Sequence, residues 1–549
     1  MSSAAAFYVQ SLGQRQQRRE ALAVIDRRYA TLRLLMVIMA LVLFWAAESG
    51  YASHGWLWLP FAGFMVLVVY HRRLLEALDA AGRAVEFYEA GLRRVNDEWA
   101  DKGNTGARFE DAAHPYAADL DLFGAGSLYE LLCTARTRPG EERLAAWLLE
   151  PAPPDVVRRR QLAVAELRDK VELCEQLNVA VARTGQLDVR ALRAWAEAPA
   201  RLQGWWVRAV AVVLAMVSAA LVVAWCIGYP GWWMLSMLVL QGAFVRTIDP
   251  GVADVVEQID ATRGDFGVLA GFLERFESET FTSPLLSELQ QAAGVPAAAA
   301  VRRLEWLAQL LESHRNLFFA PLGYVLMWNL QFAHAIENWR RQFGSRVAAW
   351  LEAVAETEAL ASLAMFAHES QSAVFPELVE GEATFAGSDL RHPLLPHCVP
   401  NSVRLDASRP LLVVSGSNMS GKSSLLRTVG INVVLAQAGS TVRADSLRLS
   451  PLRLGASIRL SDSLRGGISR FYAEITRLRQ IVELAGHEMT LLFLLDEMLA
   501  GTNSYDRGIG ARALMQTLVQ RGAMGLVTTH DLALTEVSGP LSERIANVH

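Results

Sequence analysis

Cysteine is scarce and badly spaced for covalent or metal chemistry. The four cysteines, Cys133, Cys174, Cys226 and Cys398, stand far apart with no C-x-x-C pair, which argues against a disulfide framework or a zinc site and suits the reducing cytosol. A basic excess is also missing. With 52 Lys and Arg against 57 Asp and Glu the net charge is -5, so the balance as a whole does not mark a nucleic-acid binder, and only a local patch could do so. There is no internal repeat and no low-complexity tract beyond the short alanine run Ala297 to Ala300. Charged residues are few, 20% against 52% hydrophobic with 15 Trp, which excludes a disordered chain and points to apolar surface buried elsewhere than in a globular core. At 549 residues the chain exceeds one compact core, and about three to four domains are expected.

Two stretches lack ionised side chains over lengths that matter in lipid, where a buried charge is costly. The first runs from Leu34 to Ala47, is interrupted by Glu48, and resumes from Ser49 to Tyr70 before His71-Arg72-Arg73. The second, Ala209 to Val245, contains no Asp, Glu, Lys or Arg and carries Gly228-Tyr229-Pro230-Gly231 as a turn signal. Each reads as a transmembrane helical hairpin, four spanning helices in all. The short legs Leu34–Ala47 and Trp232–Val245 also fit a buried hairpin in a soluble core. Arg27, Arg28, Arg33, Arg72, Arg73, Arg208 and Arg246 flank the outer ends, the tips carry no Lys or Arg, and Trp56, Trp58, Trp232 and Trp233 gather at the tips. This asymmetry predicts a multi-pass cell-membrane protein whose tips face outward and whose remaining parts are cytoplasmic. The basic N-terminus has no small-residue cleavage site after the first apolar run, so an uncleaved anchor is expected.

The expected organisation is a basic cytosolic segment (1–33), a first hairpin (34–73), a helical region (74–204), a second hairpin (205–246), a further helical region (247–380) and a nucleotide-binding domain (381–549). Leu74 to Trp99 and Val301 to Phe366 carry apolar residues at three-to-four spacing with charges between, as scaffold helices do. Between them, SLYELLCTARTRPGEERLAAWLLEPAPPDVVRRRQLAVAEL contains two helical stretches split by Arg138-Pro139-Gly140 and broken by Pro151-Ala152-Pro153-Pro154.

The last third changes texture to strand, glycine turn, helix. The apolar run Leu411-Leu412-Val413-Val414 feeds into Gly416-Ser417-Asn418-Met419-Ser420-Gly421-Lys422-Ser423, a G-x-x-x-x-G-K-S loop, with Ser424 following. Its backbone N–H groups and the helix N-terminus behind it suit phosphate, Lys422 supplies a mobile charge for β- and γ-phosphates, and Ser423 offers a hydroxyl to Mg²⁺. ATP and Mg²⁺ are therefore the expected ligands. A second apolar strand, Leu491 to Leu495, ends in Asp496-Glu497; Asp496 can hold the metal through water and Glu497 can orient and deprotonate an attacking water. Alone such a pair is as readily a helix cap. A third strand, Gly525 to Thr528, leads to Thr529-His530-Asp531, where His530 suits a γ-phosphate sensor, although a lone histidine is more often structural.

These residues carry a family likeness. SGSNMSGKSSLLRTVG, AGSTVRA, RLSDSLRGGISRFYAEI, LLFLLDEMLAGTNSYDRG and TTHD together resemble the ATPase domain of MutS proteins, with Asn418-Met419 in the loop, Gly501-Thr502 and Tyr505-Asp506 after the acidic pair, and Ser469-x-Phe471-x-x-Glu474 as its more specific marks. Arg391-His392-Pro393 and Asn401 fit that family's approach to the nucleotide pocket. Upstream, Thr137, Gly140, Trp147, Leu148, Pro151, Arg160 and Gln161 fall in register with the MutS core domain. The resemblance implies an α/β P-loop ATPase domain of the ABC/MutS type at the C-terminus, preceded by an all-α core and lever region with the two hairpins. It further implies a homodimer through the ATPase domain, with Ser469 reaching the γ-phosphate of the partner; a helix-capping role for Ser469 is the plainer alternative.

Three departures shape the functional expectation. No segment matches the mismatch-reading domain or its Phe-x-Glu wedge, the second hairpin occupies sequence where the family continues its core, and Glu543 to His549 resembles the strand after the switch histidine, beyond which the family normally continues. A membrane-anchored MutS-like ATPase without mismatch reading is expected, with DNA or another protein as its target. A tethered binder of DNA structure shares all these features. An ABC-type exporter is the alternative of a different class, on the membrane helices and Leu464-Arg465-Gly466-Gly467-Ile468, an echo of LSGGQ.

Overall fold

The computed structural model describes residues 3–181, 189–199, 205–294, 296–313, 319–370, 372–417, 420–459, 470–499, 502–530 and 544–548. In chain order its helices are α1 (Ser3–Glu48), α2 (Trp58–Val95), α3 (Leu128–Leu132), α4 (Arg138–Leu149), α5 (Pro154–Arg168), α6 (Val171–Val181), α7 (Val189–Glu197) and α8 (Trp205–Cys226). They continue as α9 (Trp232–Ser278), α10 (Pro284–Ala293), α11 (Ala297–Glu312), α12 (Ala320–Val325), α13 (Trp328–Glu369), α14 (Lys422–Ala438), α15 (Arg470–Leu484) and α16 (Ser504–Gln520). Among the described residues strands are confined to the C-terminal third: β1 (Ala373–Val374), β2 (Glu377–Leu378), β3 (Thr384–Leu390), β4 (Asn401–Asp406), β5 (Leu411–Ser415), β6 (Val442–Arg443), β7 (Ser446–Leu449), β8 (Leu452–Ser457), β9 (Thr490–Asp496), β10 (Met524–Thr529) and β11 (Ile545–Val548). The chain divides into two compact units, one of Met1–Cys133, Ala145–Val179 and Ser362–His549, the other of Thr134–Leu144 and Ala180–Ala361.

The first unit holds a five-stranded sheet in the order β11-β5-β10-β9-β8, and every neighbouring pair in it is parallel. Parallel strands are covered on both faces and so read as unbroken apolar runs; β5 and β10 are buried along their whole lengths. Alternation along β9 assigns the two faces. Phe493 and Leu495 enter a core with Leu478 and Ile481 of α15 and Ala511, Met515 and Leu518 of α16, whereas Leu494 faces α14 at Gly430. A second sheet, β2-β7-β3-β4, takes β2, β3 and β4 from before the nucleotide loop and β7 from after it.

The same unit contains α1 and α2, and buried polar contacts tie the start of α1 and the end of α2 to the rest of the unit. Tyr8, fully buried, donates to Glu369 Oε1 at 3.0 Å, and Arg94 grips the same carboxylate at 2.8 and 2.6 Å. Arg15 pairs with Glu175 at 2.8 and 2.7 Å, and Tyr88 donates to it at 2.8 Å. The boundary expected after residue 33 falls inside α1, which continues without a break from Ser3 to Glu48. Of the four expected spans, two described helices are long and apolar enough to cross a membrane, Ser3–Glu48 and Trp206–Cys226. Their partner legs in α2 and α9, which run into His71-Arg72-Arg73 and Arg246, are not among them.

The second unit is helical. Two tryptophans lock its core with their indole N–H groups bonded: Trp339 Nε1 donates to Ala300 O and Trp350 Nε1 to Ala293 O, each at 2.7 Å. Short α12 rests on the second hairpin, where Tyr324 donates to Leu238 O at 3.0 Å and Gln241 Nε2 to Val325 O at 3.2 Å.

Candidate nucleotide site

Three strands of the parallel sheet deliver the site. In such a sheet, ligands bind beyond the carboxyl ends of the strands, and the chain places Gly416 after β5, Asp496 at the end of β9 and His530 after β10. Gly421 caps α14 with φ 91, a left-handed conformation that a side chain would strain. Lys422 begins the helix and is 7% exposed; its Nζ folds back to donate to Gly416 O at 2.8 Å and Ser417 O at 2.9 Å. The ammonium thus closes the two ends of the loop. Asn418 and Met419 lie outside the described residues, while Ser420 and Ser424 flank the loop and the first helical turn.

Ser423 and Asp496, both expected at a metal, meet directly: Ser423 Oγ donates to Asp496 Oδ2 at 2.5 Å. Thr528, directly opposite Asp496 in the register of β9 and β10, donates to Asp496 Oδ1 and accepts the Glu497 N–H at 3.2 Å. This buried hydroxyl fixes both acidic residues at once. It was open to detection in the sequence only through strand pairing, since a threonine closing a strand is otherwise unremarkable. Glu497 has φ 45 and Leu499 φ 59, left-handed values that non-glycine residues adopt at some cost and that often occur at functional sites. Glu474 of α15, 2% exposed, accepts the Leu499 N–H and holds that turn. His530 Nδ1 stands 3.4 Å from Glu497 Oε1.

Ser469, Gly501, Asp531 and the Leu464–Ile468 echo of a transporter signature lie outside the described residues. Thr502 precedes Asn503, whose Oδ1 accepts the Asp506 N–H at 2.9 Å and caps α16. Upstream, buried Asn432 of α14 donates to Arg391 O at 3.1 Å and accepts the Arg443 N–H at 3.1 Å, tying the Arg391-His392-Pro393 turn to the helix of the loop. Burial pushes the His392 imidazole down to about 4, so at neutral pH its Nδ1 is the unprotonated acceptor for the Leu394 N–H. Asn401 donates to Val399 O at 2.9 Å.

Thr137, Gly140, Trp147, Arg160 and Gln161, expected to belong to a core-domain pattern, make local structural contacts. In the first unit Arg160 lies 3.9 Å over the Trp147 ring and Gln161 donates to Pro376 O at 3.0 Å. In the second, Thr137 donates to Glu358, and a Cβ on Gly140 would stand 2.5 Å from Glu358 Oε2.

The donor set fits Mg²⁺ in an ATP complex: Ser423 and Asp496 are hard oxygen donors, and among the described residues no group of three or more His, Cys, Asp and Glu forms a protein-only metal cage. Magnesium bound with phosphates takes few protein ligands and keeps water.

Residues 412–549 match the family described as MutS domain V. The chain is 39% identical over 140 residues to an endonuclease MutS2 of Thermus thermophilus, covering 25% of this chain and 18% of that protein. It is 39% identical over 225 residues to a DNA mismatch repair protein MutS 1 of Halobacterium salinarum, covering 38% of this chain and 24% of that protein. The matched parts therefore span about a quarter or less of these relatives' own lengths. The domain V match and the two relatives support one assignment for this region of the chain, the MutS family.

Proposed function

We propose that the chain is a membrane-anchored, MutS-like ATPase that hydrolyses Mg-ATP and works as a homodimer through its nucleotide-binding domain. The observation that carries the reading is the convergence of Lys422, Ser423, Asp496, Glu497 and His530 at the carboxyl ends of three parallel strands. Lys422 would exchange its two loop carbonyls for phosphate oxygens. Ser423 and Asp496 would hold Mg²⁺, which supplies charge neutralisation across the β- and γ-phosphates. Glu497 would take the proton of the attacking water, with His530 beside it reporting on the γ-phosphate. The reading expects Lys422→Ala to weaken ATP binding and Glu497→Gln to keep ATP but lose about 10²–10⁴ in turnover. Turnover by Glu497→Gln within about twofold of wild type, in the same preparation, would remove that residue from the mechanism. Ser469 is retained as the contact to a partner's nucleotide: in the same assay, mixing Ser469→Ala with Lys422→Ala chains should restore activity, and mixed dimers that stay inactive reject the shared site.

DNA is the target that the names of the similar proteins bring forward. DNA structure or a protein, rather than a mismatch, is the target proposed for this chain. Retention of duplex DNA by the detergent-purified protein, falling steeply as salt rises, is the expected outcome; no retention at low salt turns the reading toward a protein target. Support for the anchor lies in the two charge-free runs, whose side chains include many large apolar groups facing outward, and in the tryptophans at their tips.

A further inference from the structure

Residues 111–122 precede the helical core in sequence, yet they are fastened along the nucleotide-binding sheet. Strand β8 is the edge of that sheet, and its Ala456 N–H donates to Pro115 O at 2.9 Å. Arg477 of α15 donates to His114 O at 2.7 Å and Ala112 O at 2.8 Å. Asp119, 2% exposed, accepts the N–H groups of Ile458 and Arg459 at 2.7 and 2.8 Å, capping the end of β8. A carboxylate so deeply buried is tolerated because these amides replace its water. Asp121, with φ 51, turns its carboxylate to two arginines at once: Arg427 Nη1 at 3.0 Å and Arg459 Nη1. Between the two aspartates, fully buried Leu120 wedges against α14, where a Cβ on Gly430 would come within 2.6 Å of Leu120 Cδ2 and 2.8 Å of Leu494 Cδ1.

The two arginines give the clasp its meaning. Arg427 lies on α14, five residues after Lys422, so it moves with the phosphate loop; Arg459 lies just past β8, at the carboxyl end of the sheet where nucleotide chemistry takes place. Leu120 packs on the helix that starts at the loop, at Gly430, the same glycine that Leu494 of the strand ending in Asp496 approaches. One short segment therefore lies against the phosphate-loop helix and, through Asp119, the end of β8. We infer that Asp119 and Asp121 are positioning residues for ATP turnover, holding residues 111–122 as a clasp that couples the phosphate-loop helix to the rest of the unit. One carboxylate shared between two arginines at the edge of a sheet suits this, because its ion pairs can be joined or released while the strands of the sheet stay paired.

The inference rests on the ATPase reading, and the test separates the two. In the full chain purified in detergent, Asp121→Asn should bind a fluorescent ATP analogue within about twofold of wild type while turnover falls about tenfold. Amide hydrogen exchange over 111–122, altered by the analogue in wild type, should no longer respond in the variant, and Asp121→Glu should recover part of both. Asp119→Asn serves as the second variant, with the same split expected. If Asp121→Asn turns over as wild type and keeps its exchange response, the clasp is rejected while the ATPase reading stands. A loss of turnover matched by an equal loss of nucleotide affinity or of melting temperature rejects it too, as a mere stability effect. Wild-type protein that neither binds nor hydrolyses ATP overturns the ATPase reading itself.

Discussion

Glu358 shows how a residue that the sequence marks only indirectly comes to govern stability. Its carboxylate is enclosed in the helical unit and accepts the Arg136 N–H at 2.8 Å, the Thr137 N–H at 3.3 Å and the Thr137 hydroxyl. Burial pushes its pKa up from 4.5 to about 7, the hydrogen bonds opposing only part of that shift. The folded chain thus holds this proton more tightly than the unfolded one. Stability from this group is full below about pH 4.5 and declines as pH rises through 7, by up to about 3 kcal/mol. Glu358→Gln keeps an acceptor for Thr137 and has nothing to ionise, so its melting temperature should fall less than that of wild type between pH 5 and 8. Parallel pH profiles for the two proteins would rule the effect out. Thr137 and Gly140 were legible as part of a pattern; the reason for them, a buried acid on α13 more than two hundred residues away, was not.

At the level of elements, the phosphate loop, the acidic strand and the histidine strand were legible because each is a continuous apolar run followed by residues of restricted chemistry, and parallel pairing buries such runs whole. What the sequence did not carry was their order. β10 lies between β5 and β9, which is why Thr528 rather than a residue of the loop bridges Asp496 and Glu497. The clasp was hidden for a related reason. Residues 111–122 contain no regular element and no periodic pattern, and Asp119 and Asp121 look like ordinary solvated acids until Ile458, Arg459 and Arg427 are folded against them. The charge-free run marked a helix in α1 but not its start: Arg15, Arg18, Arg19, Arg27 and Arg28 are compatible with a helix, and propensity gives no reason to begin one only at residue 34.

For the molecule as a whole the open question is what the hairpins are for, and lengths frame the answer. Leu34 to Ala47 rises about 21 Å as a helix, short of a bilayer core of about 30 Å, while Ala209 to Cys226 rises about 27 Å. The shorter leg can still span if Arg33 snorkels at one end and aromatic residues settle into the interface at the other. At the base of the first hairpin His71 Nε2 lies 2.8 Å from Asp26 Oδ1 and its Nδ1 2.9 Å from Arg33 Nη1, pinning α2 to α1 where the charges begin. Above that clamp, Leu41 is 63% exposed and Trp45 65% exposed, and on the second hairpin Val223 and Val239 are 62% and 67% exposed. Apolar side chains left so bare to water mark an interaction site or a membrane, and the proposed anchor with its Lys- and Arg-free tips outside gives the test. The prediction is that Ser53→Cys and Tyr229→Cys, in a background with the exposed native Cys226 replaced by Ser, react with an impermeant thiol reagent added outside intact cells. Arg404→Cys, on β4 of the nucleotide-binding unit, should react only after lysis. If the two tip positions also wait for lysis, the hairpins do not cross, and their exposed faces must be covered by protein instead.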